Sequence, residues 1–345
     1  MTQTYELYGS ELSYFTRKLE AALIFYGIDY QSIDKVPTNG RELESRAGTH
    51  QIPVLRTPEN WMIADTTPVM MMLDARRPHR RMFPEGPLGV LVHILEEFFD
   101  EWIARTMVHY RWHYPRSAEF AAPRIANHDP ETTQKYLQWG PRVCRATGTE
   151  SVHQQKAAEE EYRRLLGAME EQLGQTRYLL GDRPTAVDCI VLGGLWAHTN
   201  MDPDPRDVVA NFPRVVAWCE SKAREWDGDG ALVAFPASTP FARAVLAEMG
   251  STYQPFILGN QNAQEEGNKA FVADIYGESV SYLSRAYPEQ SRQMIRDRIA
   301  HQLSPEAQSE VADWLVAVGL SDSFGKTPSV PTQRGGRPSD RDPIG

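Results

Sequence analysis

Cysteine is scarce: the chain has Cys144, Cys189 and Cys219, widely spaced and without a CxxC pair. That excludes a disulfide framework and a four-cysteine zinc site, and it implies a reducing compartment. Long apolar runs are missing too, since none approaches the roughly 20 residues needed to cross a bilayer. The opening Met1-Thr2-Gln3-Thr4-Tyr5-Glu6 lacks the basic and then apolar regions of a secretory signal, so the reading is cytoplasmic, with no membrane partner. Positive charge is in deficit, 36 Lys and Arg against 46 Asp and Glu, a formal net charge of −10. This is the wrong sign for tracking a phosphate backbone, so no nucleic-acid partner is expected. What is present suits a folded protein: 41% hydrophobic, 10% aromatic and 24% charged residues. At 345 residues the chain is too long for one ordinary core, which predicts two domains or a domain with a large extension.

The first 80 residues read as β-α-β-α-β-β-α. Residues 4–8 alternate like a half-buried strand, and Leu19, Ala22, Leu23 and Tyr26 recur at helical spacing before Gly27, a helix stop. A strand follows near Tyr30–Ile33, a short helix to about Ala47, and a strand that Pro53 begins. Thr57-Pro58-Glu59-Asn60 reads as a hairpin turn, and Asp65-Thr66-Thr67-Pro68 as a helix start. Prolines 78, 84 and 87 and the basic run Arg76–Arg81, read as a solvated linker, mark a domain boundary. Beyond it helices dominate: one carries Leu91, Ile94, Leu95, Phe98, Trp102 and Ile103 on a stripe, 115–150 gives a weak signal, and 152–174 is periodic again. Thr185 and Asp188 form a capping box, which gives Asp188 a structural role, and another helix is expected around Val215–Arg224. Three more helices are expected near 239–249, 253–286 and 288–318, with a disordered tail over 325–345.

Three segments carry chemistry together: Ser13-Tyr14-Phe15-Thr16-Arg17-Lys18-Leu19 at a helix start, Gln51-Ile52-Pro53-Val54-Leu55, and Asp65-Thr66-Thr67-Pro68. Alone, Ser13 and Asp65 read as helix caps and Pro53 as an edge proline. In this order and spacing, the chain resembles the cytosolic glutathione transferase superfamily over roughly residues 4–230. The resemblance implies a thioredoxin-like, glutathione-binding domain (1–80) and an all-helical substrate domain (88–230), with a helical extension (231–324) beyond the ordinary family length.

It also implies roles. Glutathione, the co-substrate, would be held by Gln51, by the Ile52 backbone before a cis Pro53, and by Asp65 and Thr66, with no metal. Ser13 falls on the family's serine or cysteine position and would donate to the sulfur, with Tyr14 and Tyr8 as alternative donors. A serine there disfavours mixed-disulfide chemistry, which leaves thiolate attack on a hydrophobic, small-molecule electrophile between the domains. Alternatives are a glutathione-dependent isomerase, lyase or dehalogenase, or a non-catalytic binding or assembly protein on the same fold. A homodimer is the family expectation.

His109 and His113 lie one helical turn apart, but no acidic residue in the run completes a zincin-like motif. The resemblance turns this helix toward the interdomain cleft, making Tyr110, Trp112 and His113 candidates for the electrophile site; the alternative is aromatic packing at a domain interface. The extension could cover the cleft, supply a dimer contact or form an outer layer.

Overall fold

The structure is a computed structural model, and it describes residues 4–221 and 226–325. A four-stranded mixed sheet opens the chain: β1 (Tyr5–Gly9), β2 (Tyr30–Asp34), β3 (Val54–Arg56) and β4 (Met62–Ala64), in spatial order β2-β1-β3-β4. β1 runs parallel to β2 and antiparallel to β3. Between the strands lie α1 (Tyr14–Tyr26), stopped by Gly27 at φ 65°, and α2 (Pro37–Ala47), and α3 (Thr66–Arg76) follows β4. Strand alternation splits the sheet's side chains. Leu7 and Leu55 enter the main core, whereas Tyr8 and Val54 face the other way, against Leu43 and Met62.

The helical part begins with α4 (Gly86–Glu97), which widens into a π-helical stretch over Phe98–Ile103 and resumes as α5 (Ala104–His113). It continues with α6 (Pro115–Ile125), α7 (Pro130–Ala146) and α8 (Val152–Gln172). The weak signal over 115–150 thus conceals two helices, each with an internal proline, Pro123 and Pro141. Next come α9 (Ala186–Gly194), α10 (Pro203–Val209) and α11 (Pro213–Ser221); residues 222–224 of the expected last helix lie outside the described ones.

The Asp188 cap holds: its carboxylate accepts from the Thr185 N–H at 2.7 Å and the Leu179 N–H at 2.9 Å. The two parts meet where α9 crosses α1. A Cβ on Gly193 would lie 2.7 Å from Tyr14 O and Lys18 N, so only glycine lets the helices come this close. The basic run is exposed over residues 76–79, as a solvated linker is, but it is also anchored. Arg80 donates to Phe25 O at 2.9 Å and lies over the Trp226 ring at 4.8 Å, and Arg76 reaches Tyr5 and Glu59.

The extension departs from the expected three helices. Its α12 (Pro240–Met249) fits, but the expected 253–286 helix is α13 (Tyr253–Glu266) followed by a hairpin, β5 (Ala270–Ile275) and β6 (Glu278–Leu283). Alternation explains it: Ala273, Ile275, Val280 and Tyr282 are buried and their neighbours are not, and the linking Tyr276-Gly277 turn has positive φ at both residues. The expected 288–318 helix is two, α14 (Ala286–Gln302) and α15 (Pro305–Ala317), because Ser304 caps a new start before Pro305; a last turn, α16, spans Ser321–Phe324. One apolar core runs through all three parts of the chain, with Phe99 of the π stretch stacked on Phe241 of the extension at 6.2 Å. Of the expected tail, residues 326–345 lie outside the described ones.

Candidate functional site

A cavity of about 530 Å³ opens between the sheet domain, the α4–α5 rod and the extension. The five predicted glutathione-binding residues all border it: Gln51, Ile52, Pro53, Asp65 and Thr66. The Ile52–Pro53 bond is cis, just before β3. Asp65 sits at the N-cap of α3 with φ 71° and ψ 111°, a conformation costly for a residue with a Cβ, and its side chain makes no capping hydrogen bond. It is therefore not the ordinary helix cap that its position in the sequence alone would suggest. Pro68 has no N–H, so the first turn of α3 presents the Thr66 and Thr67 donors.

Beneath this helix start lies a buried charge cluster. Lys18, fully buried, pairs with Glu96, with Asp100 Oδ2 at 2.7 Å, and with Thr67 Oγ1 at 3.1 Å; Thr67 in turn donates to Glu96 at 2.9 Å. Burial pulls the ammonium's proton affinity down, but Asp100 and Glu96 outweigh it and raise it. Burial pushes Glu96 up to about 7 against the pull of Lys18, and Glu101 up to about 7 against the pull of Arg285. The π stretch is what turns Asp100, Glu101 and Trp102 together toward the cavity, since its wider turn shifts the phase of the helix.

The predicted sulfur donors do not border the cavity. Ser13 is the N-cap of α1, its Oγ accepting from the Thr16 N–H at 3.2 Å. The Tyr14 hydroxyl donates to Phe99 O at 3.0 Å inside the core, and burial raises its pKa well above the ordinary phenol value. Tyr8 lies on the opposite face of the sheet, donating to Glu6, with burial and that contact pushing it up to about 12.

The electrophile-site candidates also lie elsewhere. Tyr110 is buried against Tyr114 and Tyr162, Trp112 packs on Tyr136 and Trp139, and His113 stacks on His109 at 4.8 Å. His109 contacts Glu159 at 3.0 Å. Against the upward push of burial, His109 and Tyr114 hold that carboxyl down to about 2. Helical phase accounts for two of them: the face of α5 toward the cavity carries Ala104, Arg105 and Val108, and residues 110 and 113 fall on other faces, whereas Trp112 continues that same face farther along the helix and is covered by Tyr136 and Trp139 of α7. The remaining wall comes from Trp139 of α7 and from the extension, whose Phe256, Tyr282, Leu283 and Met294 close over the cleft. Arg285 clasps Glu101 at 3.1 Å, and Tyr253 donates to Glu97 at 2.9 Å, fastening the extension to the rod.

Among the described residues, no group of three or more His, Cys, Asp or Glu could hold a metal ion, and no helix is long and apolar enough to cross a membrane. No curated protein matches the chain. Among solved structures, it is similar to a glutathione S-transferase from Pseudomonas fluorescens Pf-5, with 17% identity, 68% of this chain and 99% of that one covered, and a TM-score of 0.41. It is also similar to the beta-etherase LigF from Sphingobium sp. strain SYK-6, with 16% identity, 66% and 97% covered, and a TM-score of 0.45. A third is a glutathione S-transferase from Methylobacillus flagellatus KT solved with glutathione bound, with 15% identity, 65% and 96% covered, and a TM-score of 0.41. The family "Glutathione S-transferase, N-terminal domain" matches residues 7–81, and "Glutathione S-transferase, C-terminal domain" matches residues 133–224. With both domains present in that order, the chain belongs to the cytosolic glutathione S-transferase superfamily.

Proposed function

We propose that the protein is a glutathione-dependent transferase, binding glutathione on the sheet side of the cavity and an electrophile on the other. One observation carries this: Gln51, the cis Ile52–Pro53 bond and the strained Asp65 border the same cavity as an aromatic wall of the right size for a second small molecule. In this reading the Ile52 backbone pairs with the cysteinyl part of the tripeptide in strand fashion. The Thr66 and Thr67 N–H groups take the γ-glutamyl carboxylate, and the Asp65 carboxylate takes its ammonium. Gln51 reaches the glycyl carboxylate. Ser13 donates to the sulfur, favouring the thiolate, each pKa unit being worth about 1.4 kcal/mol. The thiolate then attacks the electrophile, a C–S bond forms, and the leaving group departs with its electron pair.

A non-catalytic glutathione-binding protein is the second reading, favoured by Ser13 already serving as a cap and lying off the cavity. Titrating glutathione into wild type and Ser13→Ala by calorimetry, with thiolate absorbance followed against pH, decides between them. The transferase reading expects binding with a thiol pKa below that of free glutathione, and a return toward the free value in Ser13→Ala. Binding with an unshifted thiol in the wild type would leave the second reading; no binding would overturn both.

A further inference from the structure

Where α5 and the extension border the cavity, several hydrogen-bond donors lack acceptors. Arg105, 4% exposed, spends one nitrogen: its Nη2 donates to Glu161 Oε2 at 2.8 Å. Glu161's other oxygen is taken by Trp102 Nε1 at 2.7 Å. Nε and Nη1 of Arg105 are buried without a hydrogen-bond partner, and so is the hydroxyl of Tyr282; both side chains border the cavity. A buried guanidinium with two of its nitrogens unpaired is costly, and such groups persist where something outside the chain completes them.

The surroundings fix the donors in place. The Arg105 guanidinium lies 4.1 Å from the centre of the Trp102 ring, and that ring touches Phe256 at 5.5 Å and Tyr282 at 6.3 Å. Val108, Val143 and Ala146 supply apolar walls nearby. Of the carboxylates that border the cavity on this rod, Asp100 shares Lys18 with the buried Glu96 and Glu101 pairs with Arg285. Burial pushes the Tyr282 phenol up to about 12, so at neutral pH it is a donor.

We infer that this part of the cavity receives the carboxylate of an aromatic co-substrate, with Arg105 and the Tyr282 hydroxyl as its donors and the Trp102–Phe256 wall against its ring. The inference names the substrate class of the electrophile side proposed above and rests on that reading for its chemistry, but the binding itself needs only the cavity. Arginine suits the task because its charge is permanent and its donors are planar.

The test uses 2-naphthoate and its uncharged isostere, 2-naphthamide, titrated calorimetrically into the full-length protein, with glutathione titrated separately. The wild type should bind naphthoate about tenfold to a hundredfold more tightly than the amide, as charge-assisted hydrogen bonds imply. Arg105→Gln should abolish the preference, Arg105→Lys should keep part of it, and Tyr282→Phe should reduce it severalfold. The wild-type comparison needs no variant, so a misfolded Arg105→Gln protein leaves the result readable. Equal affinity for the two ligands in the wild type, or a preference that survives in folded Arg105→Gln, overturns the inference. Glutathione binding without naphthoate discrimination overturns this inference alone. Discrimination without glutathione binding upholds it and overturns the transferase reading.

Discussion

The two halves of the cavity are built in opposite ways. The sheet side is contiguous: Gln51 through Thr67 supplies its border within one stretch of chain, shaped by a cis proline, a short hairpin and a helix start. The opposite side is assembled from residues far apart, with Trp102 and Arg105 meeting Phe256 and Tyr282 across more than a hundred residues of sequence. A contiguous half carries its geometry in local turn and cap chemistry. An assembled half exists only once distant elements have packed, so its stability and its shape are one problem.

The harshest way to break the comparison is to remove the chain beyond residue 230. If the extension were an outer layer, the remainder would fold and keep the contiguous half. The core forbids it: Phe241, Val245, Tyr253, Ile257 and Ile295 are buried in the same cluster as Phe99 and Ile94. Truncation deletes these side chains and exposes the core residues they cover; burying one such side chain is worth roughly 1.5–3 kcal/mol, so losing several of these contacts exceeds ordinary domain stability. The truncated chain is expected to lose its near-ultraviolet dichroism and bind a hydrophobic dye; a cooperative thermal transition would disprove this.

Next in size is the charge cluster under the contiguous half. Lys18→Met leaves Glu96 and Asp100 facing each other in the core without their cation. Removing one member of a buried ion pair costs about 3–5 kcal/mol. Urea unfolding should show a loss of that order, partly recovered at low pH, where the orphaned carboxylates can take up protons.

This asymmetry explains what could be read from the sequence. The β-α-β-α-β-β-α succession, the Gly27 stop, the Asp188 cap, Pro53 and Asp65 are local signals, and each lies where its spacing put it. The extension's hairpin also left a local trace, the alternation of Ala273, Ile275, Val280 and Tyr282 around Tyr276-Gly277, which a helical reading of 253–286 overrode. The assembled half was beyond local reasoning. The π stretch sets the phase of the rod, so the cavity takes Trp102 and Arg105 while Tyr110 and His113 point elsewhere, and Trp112, on the cavity's face of the helix, is covered by Tyr136 and Trp139. Nor does periodicity say what Phe256 will pack against.

A milder change sharpens the comparison within the contiguous half. Asp65 holds a left-handed φ of 71° and its charge adds to that facing Glu101. Asp65→Gly removes both costs, so the unfolding free energy should rise, by about 1 kcal/mol for the backbone alone, and the thermal midpoint with it. Glutathione affinity should fall about tenfold or more, as expected for a lost charged contact. A stabilised protein with unchanged affinity would mean that Asp65 is an accident of the turn.

The smallest effect concerns the clasp between rod and extension, inside the assembled half. Burial pushes Glu96 and Glu101 up to about 7 and Asp188 up to about 6, well above the ordinary carboxylate range. Between that range and about 7 the folded state binds more protons than the unfolded one. Stability from these groups is therefore fully present at low pH and is lost as pH rises through 7, opposite to the usual behaviour of salt-bridged carboxylates. Glu101→Gln removes one of these titrations while an amide oxygen still accepts from Arg285, so the decline in stability between pH 5 and 8 should become shallower by the share of one group. If chemical unfolding at the two pH values gives the same slope in wild type and Glu101→Gln, the Glu101–Arg285 clasp is ionised throughout, and the extension is held by a permanent ion pair in place of a titrating one.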